Sequence, residues 1–176
     1  APSSRIEAAD LQAGADVLIS RGYKVFIHPQ SHEKLHQSAG TNEQKASAFH
    51  DLVRDPAIKA IVFATGGNRA LHLLDHLDYT LIKKHPKAYM GFSDNTAILN
   101  AITAKTGIVT YHGPTLKRLT KNPQVDFNLR LLSGEITTIP MTGANVMRAG
   151  RAEGVLIGGN LSLFQCLIDS GEIANP

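Results

Sequence analysis

Apolar residues recur at helical spacing over residues 4–20, where Ile6, Ala9, Ala13, Val17 and Leu18 fall on one face. Gly22 closes that pattern, and residues 23–27, Tyr-Lys-Val-Phe-Ile, read as a short strand. A polar loop opens at His28-Pro29 and runs to Thr41. Residues 42–53 are helical again, with Ala46, Phe49, Leu52 and Val53 on one side, until Asp55-Pro56 breaks them. Residues 58–64 form a continuous β-type run, the pattern of a strand covered on both faces. It stops at Thr65-Gly66-Gly67-Asn68, and residues 71–77 read as a short helix. Residues 88–92 make another strand, 94–106 a helix closed by Gly107, and 108–111 a strand.

Helix and strand thus alternate over the first 114 residues without a hairpin signal. That order predicts an α/β fold, a mainly parallel, doubly wound sheet with helices on both sides. After Pro114 the character changes. A helix is expected over 125–132, strands over 135–139 and 153–157, a turn at Gly158-Gly159-Asn160 and a helix over 161–168. The organisation expected is an N-terminal α/β domain over 1–114, a connection over 115–150 and the start of a second, smaller domain over 151–176. APSS at the head reads as the tail of a strand, and GEIANP ends without a closing element, so the chain reads as cut at both ends.

A chain of 176 residues predicts one domain, or one and a piece of a second. No apolar run approaches the roughly 20 residues that span a bilayer, and the first residues have no basic head before an apolar core. The single cysteine, Cys166, fits a reducing compartment, and its neighbours Leu163, Phe164 and Leu167 predict a buried structural thiol. A cytoplasmic location is therefore expected. The net charge of +3 is dispersed, with Lys83, Lys84 and Lys87 the densest group and Lys117, Arg118 and Lys121 next. Neither group is interleaved with aromatics, so no nucleic-acid face is expected.

The chemistry concentrates in GFSDN, residues 91–95. A serine on a strand-to-helix turn exposes its hydroxyl above the carboxyl edge of the sheet, beside free N–H groups of the helix. The elbow pattern G-x-S-x-G is matched except at its last position, where Asn95 stands. Ser93 or Asp94 could equally be an N-cap. His112 in YHGP falls on the same sheet edge and is the local candidate for a base. His28, His32 and His36 are spaced by four, as are His72 and His76. Pro29 interrupts the first set, and HLLDH lacks the glutamate of the zinc-peptidase pattern, so no metal is expected. The pair Gly66-Gly67 is either a tight turn or a close approach of backbone to ligand. Its strand and that of Ser93 end on one edge, where ligands bind in such sheets.

These stretches together resemble the LD-carboxypeptidase family of serine peptidases, which includes the microcin-immunity proteases. The resemblance runs in order through APSS, residues 38–68 ending in TGGN, LLDHLDY, HPKAYMGFSDNTAILNAITAKTGIVTYHGP and GRAEGVLIGGNLSLFQCLI. It implies a flavodoxin-like N-terminal domain joined to a smaller C-terminal one. It implies metal-free hydrolysis, with no cofactor, of an L,D-amide bond in cytoplasmic muropeptides. In the microcin-immunity branch the substrate is an acyl-sulfamoyl nucleotide antibiotic. By position, Ser93 matches the nucleophile, and the N–H groups of Asp94 and of Gly66-Gly67, chiefly Gly67, match the oxyanion hole. The family's glutamate and histidine fall beyond residue 176, and His112 does not take their place. The partner implied is a small peptide or peptide-nucleotide, neither nucleic acid nor membrane, with a homodimer left open.

Overall fold

The computed structural model describes residues 1–141, 143 and 145–173. The last three residues of GEIANP and two within the 115–150 connection therefore lie outside the described residues.

Three short parallel strands form the sheet, in the order β1 (Ala60–Val62), β2 (Ala88–Gly91), β3 (Tyr111–His112). Val62 sits opposite Met90, Met90 opposite Tyr111 and Gly91 opposite His112. Side chains alternate across the pleat, and the burial follows. Ile61 and Phe63 enter one apolar cluster, and Val62 and Ala64 the other. The first cluster holds α2 (Asn42–Arg54), α3 (Tyr79–Lys84), α4 (Thr96–Thr106) and Leu167 of α7 (Leu161–Asp169). The second holds α1 (Ala8–Ile19), α5 (Leu116–Leu119) and α6 (Val125–Leu132). A parallel sheet covered on both faces is the α/β architecture read from the sequence.

Local chemistry sets the helix ends. Thr41 accepts from the N–H of Gln44 while the Gln44 side chain accepts from that of Thr41, a reciprocal cap that starts α2. The first helix begins at Ala8 rather than residue 4, because Glu7 is extended at φ −75° and ψ 143°. The expected helix over 71–77 is a 3₁₀ segment, Leu71–His76, with Leu73 and Leu74 buried. Gly107 ends α4 at φ 76°, a left-handed position where a side chain is strained.

Three expected strands do not form. Residues 23–28 form no helix or strand, and among the described residues the backbone of 24–27 makes no hydrogen bond. A ladder needs a partner about 4.8 Å away. Here a cavity of about 640 Å³ separates this segment from β1, lined by Val25, Ile27, Val62, Phe63 and Leu129 among others. Neither 135–139 nor 153–157 is a strand, and Val155 and Leu156 are 80% and 92% exposed. An apolar run becomes a strand only when another strand lies beside it. Cys166 is exposed, not buried, because α7 fully buries only Leu167 and Cys166 projects about 100° away from it around the helix. Among the described residues no helix is long and apolar enough to cross a membrane.

Candidate active site

The carboxyl ends of β1 and β2 lie side by side, and a loop leaves each. After β2 the chain turns sharply into α4. Gly91 begins the turn because a Cβ there would lie 2.5 Å from the Phe63 ring and 2.9 Å from Cβ of Asn95. Phe92 is extended at φ −139° and ψ 158°. Ser93 then adopts φ 64°, in the left-handed region that side chains rarely occupy. Such a conformation costs on the order of 1–3 kcal/mol and survives only where the surroundings enforce it. Residues Ser93–Asn95 form one 3₁₀ turn that leads into α4.

Asn95 explains its own departure from the elbow pattern. It is fully buried, and its Nδ2 donates to the carbonyls of Phe92 at 3.0 Å and Thr65 at 3.3 Å. The side chain thus staples the turn to the neighbouring loop, which a glycine could not do. Thr96 Oγ1 donates to the Ser93 carbonyl at 2.6 Å. These bonds hold the strained serine. Neither Ser93 nor Asp94 caps α4 with its side chain, so the N-cap reading is corrected. The Asp94 carboxylate faces the other loop instead, where Oδ2 accepts from Arg69 N–H at 3.1 Å.

That other loop carries Gly66 and Gly67. A Cβ on Gly66 would lie 3.2 Å from Cβ of Ser93, so the glycine pair and the serine are in contact. A Cβ on Gly67 would collide with the hydroxyls of Ser3 and Ser4. Ser4 N–H also donates to the Gly66 carbonyl at 3.3 Å. Among the described residues, the N–H groups of Gly66, Gly67 and Asp94 have no acceptor, and Ser93 Oγ has no hydrogen-bond partner. A half-buried hydroxyl beside free N–H groups is the layout that receives a carbonyl carbon and its oxygen.

His112 lies on the same edge, and its ring packs against Phe92 with centroids 5.4 Å apart. Burial pushes its imidazole below the ordinary range. Among the described residues neither it nor any carboxylate bonds to Ser93 Oγ. The structure thus unites Ser93, Gly66, Gly67 and Asp94, and leaves His112 beside them without a base's contact.

Several residues of this corner escaped the sequence reading. Asn100 Nδ2 donates to the Gly158 carbonyl at 2.9 Å, and Asn160 N–H donates to Thr96 Oγ1 at 2.9 Å. A second glycine pair therefore stands over the start of α4, and a Cβ on Gly159 would lie 2.6 Å from Thr96 Oγ1. Lys45 is 3% exposed. Burial and then Arg69 push its ammonium below the ordinary range, while Asp94 opposes them. A lysine inside the apolar stripe of α2 leaves no signal in hydrophobic periodicity, whereas GGN was visible as a turn.

Among known proteins, the sequence model of the LD-carboxypeptidase N-terminal domain matches residues 1–113. The "Probable murein peptide carboxypeptidase" of Bacillus subtilis is 32% identical over 174 residues, 93% of this chain and 54% of its own length. The microcin C7 self-immunity protein MccF of Escherichia coli is 37% identical over 103 residues, 58% of this chain and 30% of its own. Among solved structures, MccF in complex with aspartyl sulfamoyl adenosine superposes with a TM-score of 0.79 at 25% identity. That match covers 99% of this chain and 63% of MccF. The chain spans about half the length of the curated relatives it matches.

Proposed function

The chain belongs to the LD-carboxypeptidase family, and from that premise we propose that it supplies the nucleophile half of a serine peptidase acting on muropeptides. The observation that carries the proposal is Ser93, strained at φ 64°, whose hydroxyl has no partner among the described residues and stands next to the glycine pair and the Asp94 N–H, which also lack acceptors there. Ser93 Oγ attacks the carbonyl carbon of the L,D-amide bond. The carbonyl oxygen becomes an oxyanion and takes hydrogen bonds from the N–H groups of Gly67 and Asp94, which have no acceptor of their own among the described residues. One such donor is worth about a hundredfold or more in rate. The C–N bond then breaks, the amine leaves with a proton, and water releases the acyl group from Ser93.

The proton transfers belong to a base. The family resemblance puts its glutamate and histidine beyond residue 176, so full activity is proposed for a chain that carries both halves. Alone, the 176 residues are expected to hydrolyse slowly, since losing triad members costs several powers of ten. A small peptide is the substrate in this reading and the cytoplasm its setting, with no cofactor required.

A second reading is the microcin-immunity reaction, in which a peptidyl or aminoacyl nucleotide is cleaved. It is favoured by the likeness to MccF, whose solved complex holds aspartyl sulfamoyl adenosine. Both readings share Ser93. On a chain that carries both halves, a fluorophosphonate probe followed by intact-mass spectrometry should add one label that Ser93→Ala abolishes. Labelling that persists in Ser93→Ala would sink both readings. Ligand binding that survives the change without any labelling would favour a non-catalytic binding module. Hydrolysis of a tetrapeptide against an aminoacyl sulfamoyl nucleoside then separates the two substrates.

A further inference from the structure

The Asp94 carboxylate has no place in the reaction just described, which uses only its backbone N–H. It is nonetheless among the best-connected polar groups in the molecule. Asp94 is 3% exposed, and Oδ2 accepts from Ser3 Oγ at 2.5 Å, Arg69 N–H at 3.1 Å and Ala70 N–H at 3.3 Å. Ser3 Oγ in turn accepts from Arg69 N–H at 3.0 Å. One carboxylate oxygen thus joins three segments distant in sequence: the chain start, the 66–70 loop and the Ser93 turn. Its second oxygen, Oδ1, is buried without a partner among the described residues and would lie 3.4 Å from a Cβ on Gly66. The carboxylate therefore fills the space behind the glycine pair.

Stability alone is a poor reason for this arrangement. A buried carboxylate with one oxygen unsatisfied is costly unless its charge is used. Part of the compensation comes from Lys45, itself buried, whose charge Asp94 favours. What the arrangement accomplishes is geometric. Gly66 and Gly67 pack against Ser3, Ser4 and Ser93, but among the described residues their backbone makes one hydrogen bond, from Ser4 N–H to the Gly66 carbonyl, and glycine backbones are the most mobile. Tying Arg69 and Ala70 to the residue next to Ser93 makes the loop and the nucleophile move as one body. Charge-assisted bonds to N–H groups are about twice as strong as neutral ones, so an aspartate suits the task better than a neutral acceptor.

We propose that Asp94 is a positioning residue, whose carboxylate holds the 66–70 loop against the Ser93 turn and so fixes the Gly67 N–H relative to Ser93 Oγ. This rests on reading Ser93 as the nucleophile, and the test separates the two. Asp94→Ala, Asp94→Asn and Ser3→Ala are compared with the unchanged 176-residue chain by amide hydrogen exchange and by the rate of fluorophosphonate labelling. Asn keeps an acceptor at the Oδ2 position, and Ser3→Ala removes one arm of the network while leaving the acid. Asp94→Ala should raise exchange at Arg69 and Ala70, and slow labelling by about tenfold or more. Asp94→Asn should recover most of both, and Ser3→Ala should fall between. Exchange in α2 and α4 should stay unchanged, which a general loss of stability would not allow. Should Asp94→Ala fail to fold, the ordering of the other two against the unchanged chain decides alone. Unaltered exchange at Arg69 and Ala70, or an Asn variant that labels as slowly as the Ala variant, overturns the proposal. If label forms at a residue other than Ser93, the nucleophile reading fails; if the 176 residues take none, as a base beyond residue 176 allows, the exchange arm still decides whether Asp94 positions the loop.

Discussion

Ser93 and Tyr89 show what a single position can carry. Ser93 holds an unfavourable backbone conformation and keeps its hydroxyl free, a combination that stability alone does not favour. Tyr89 is the opposite case. It is fully buried, stacked on Phe49 with centroids 5.7 Å apart, and its hydroxyl has no partner among the described residues. Burial alone holds that phenol well above its ordinary range. An unsatisfied buried hydroxyl costs about 1–3 kcal/mol, so Tyr89→Phe should stabilise the chain, by roughly 1 kcal/mol once loss of shape-filling oxygen is counted. Urea denaturation would show it as a higher midpoint at unchanged slope, and a lower midpoint refutes it. At this scale the sequence was legible where a residue type has one job, as with Gly91 and Ser93 on the turn. It was not legible where direction decides. Asp94 was named for its N–H, but nothing in GFSDN says that its side chain turns toward Arg69 rather than down the axis of α4.

Elements depend on their neighbours, and here the expectations divide cleanly. Helices α2, α4, α6 and α7 fall within two residues of their expected spans, because 3.6-residue periodicity and end signals are local. The runs at 23–27, 135–139 and 153–157 have strand composition and no ladder, because pairing is settled by chain far away in sequence. Cys166 was misplaced for a related reason. Leu163, Phe164 and Leu167 suggest a buried stripe, yet α7 is covered on one line only, by Leu167. What anchors α7 is its start. Asn160 caps it by accepting from Leu163 N–H at 3.3 Å, and Asn100 holds Gly158 through both of its amide atoms. Asn100→Ala should therefore release 158–160 before anything else. Amide exchange at Gly158 and Asn160 should rise about tenfold or more while Ile98 and Ile102 keep their protection, as expected of local opening. Equal loss of protection in both places would refute that order.

Across the whole molecule, two histidines make the fold sensitive to mild acid. His50 accepts from Asp78 N–H at 2.9 Å, and burial first, then Arg54, lowers its affinity for a proton. Burial does the same to His112. The unfolded chain thus binds more protons once pH falls below about 6.5, the ordinary value for both groups. The stability these two histidines contribute is fully present above that pH and declines as pH drops through it toward their lower folded-state values. The melting temperature should fall between pH 7.5 and 5, and the double change His50→Gln, His112→Gln should flatten that slope. A flat profile in the unchanged chain refutes it. The parallel order of the sheet, with helices on both faces, was legible from helix–strand alternation alone. The contact between its two loops followed from both strands ending on one edge.

The vacant slot between β1 and residues 23–28 has a consequence outside the fold. To another molecule, the outer edge of β1 is a row of main-chain donors and acceptors bordered by apolar walls, and it does not distinguish whose backbone answers them. In a concentrated solution the most abundant candidate is a second copy of the same polypeptide. Dilution, or a short extended peptide supplied in excess, is the natural stopper for an opening of that shape.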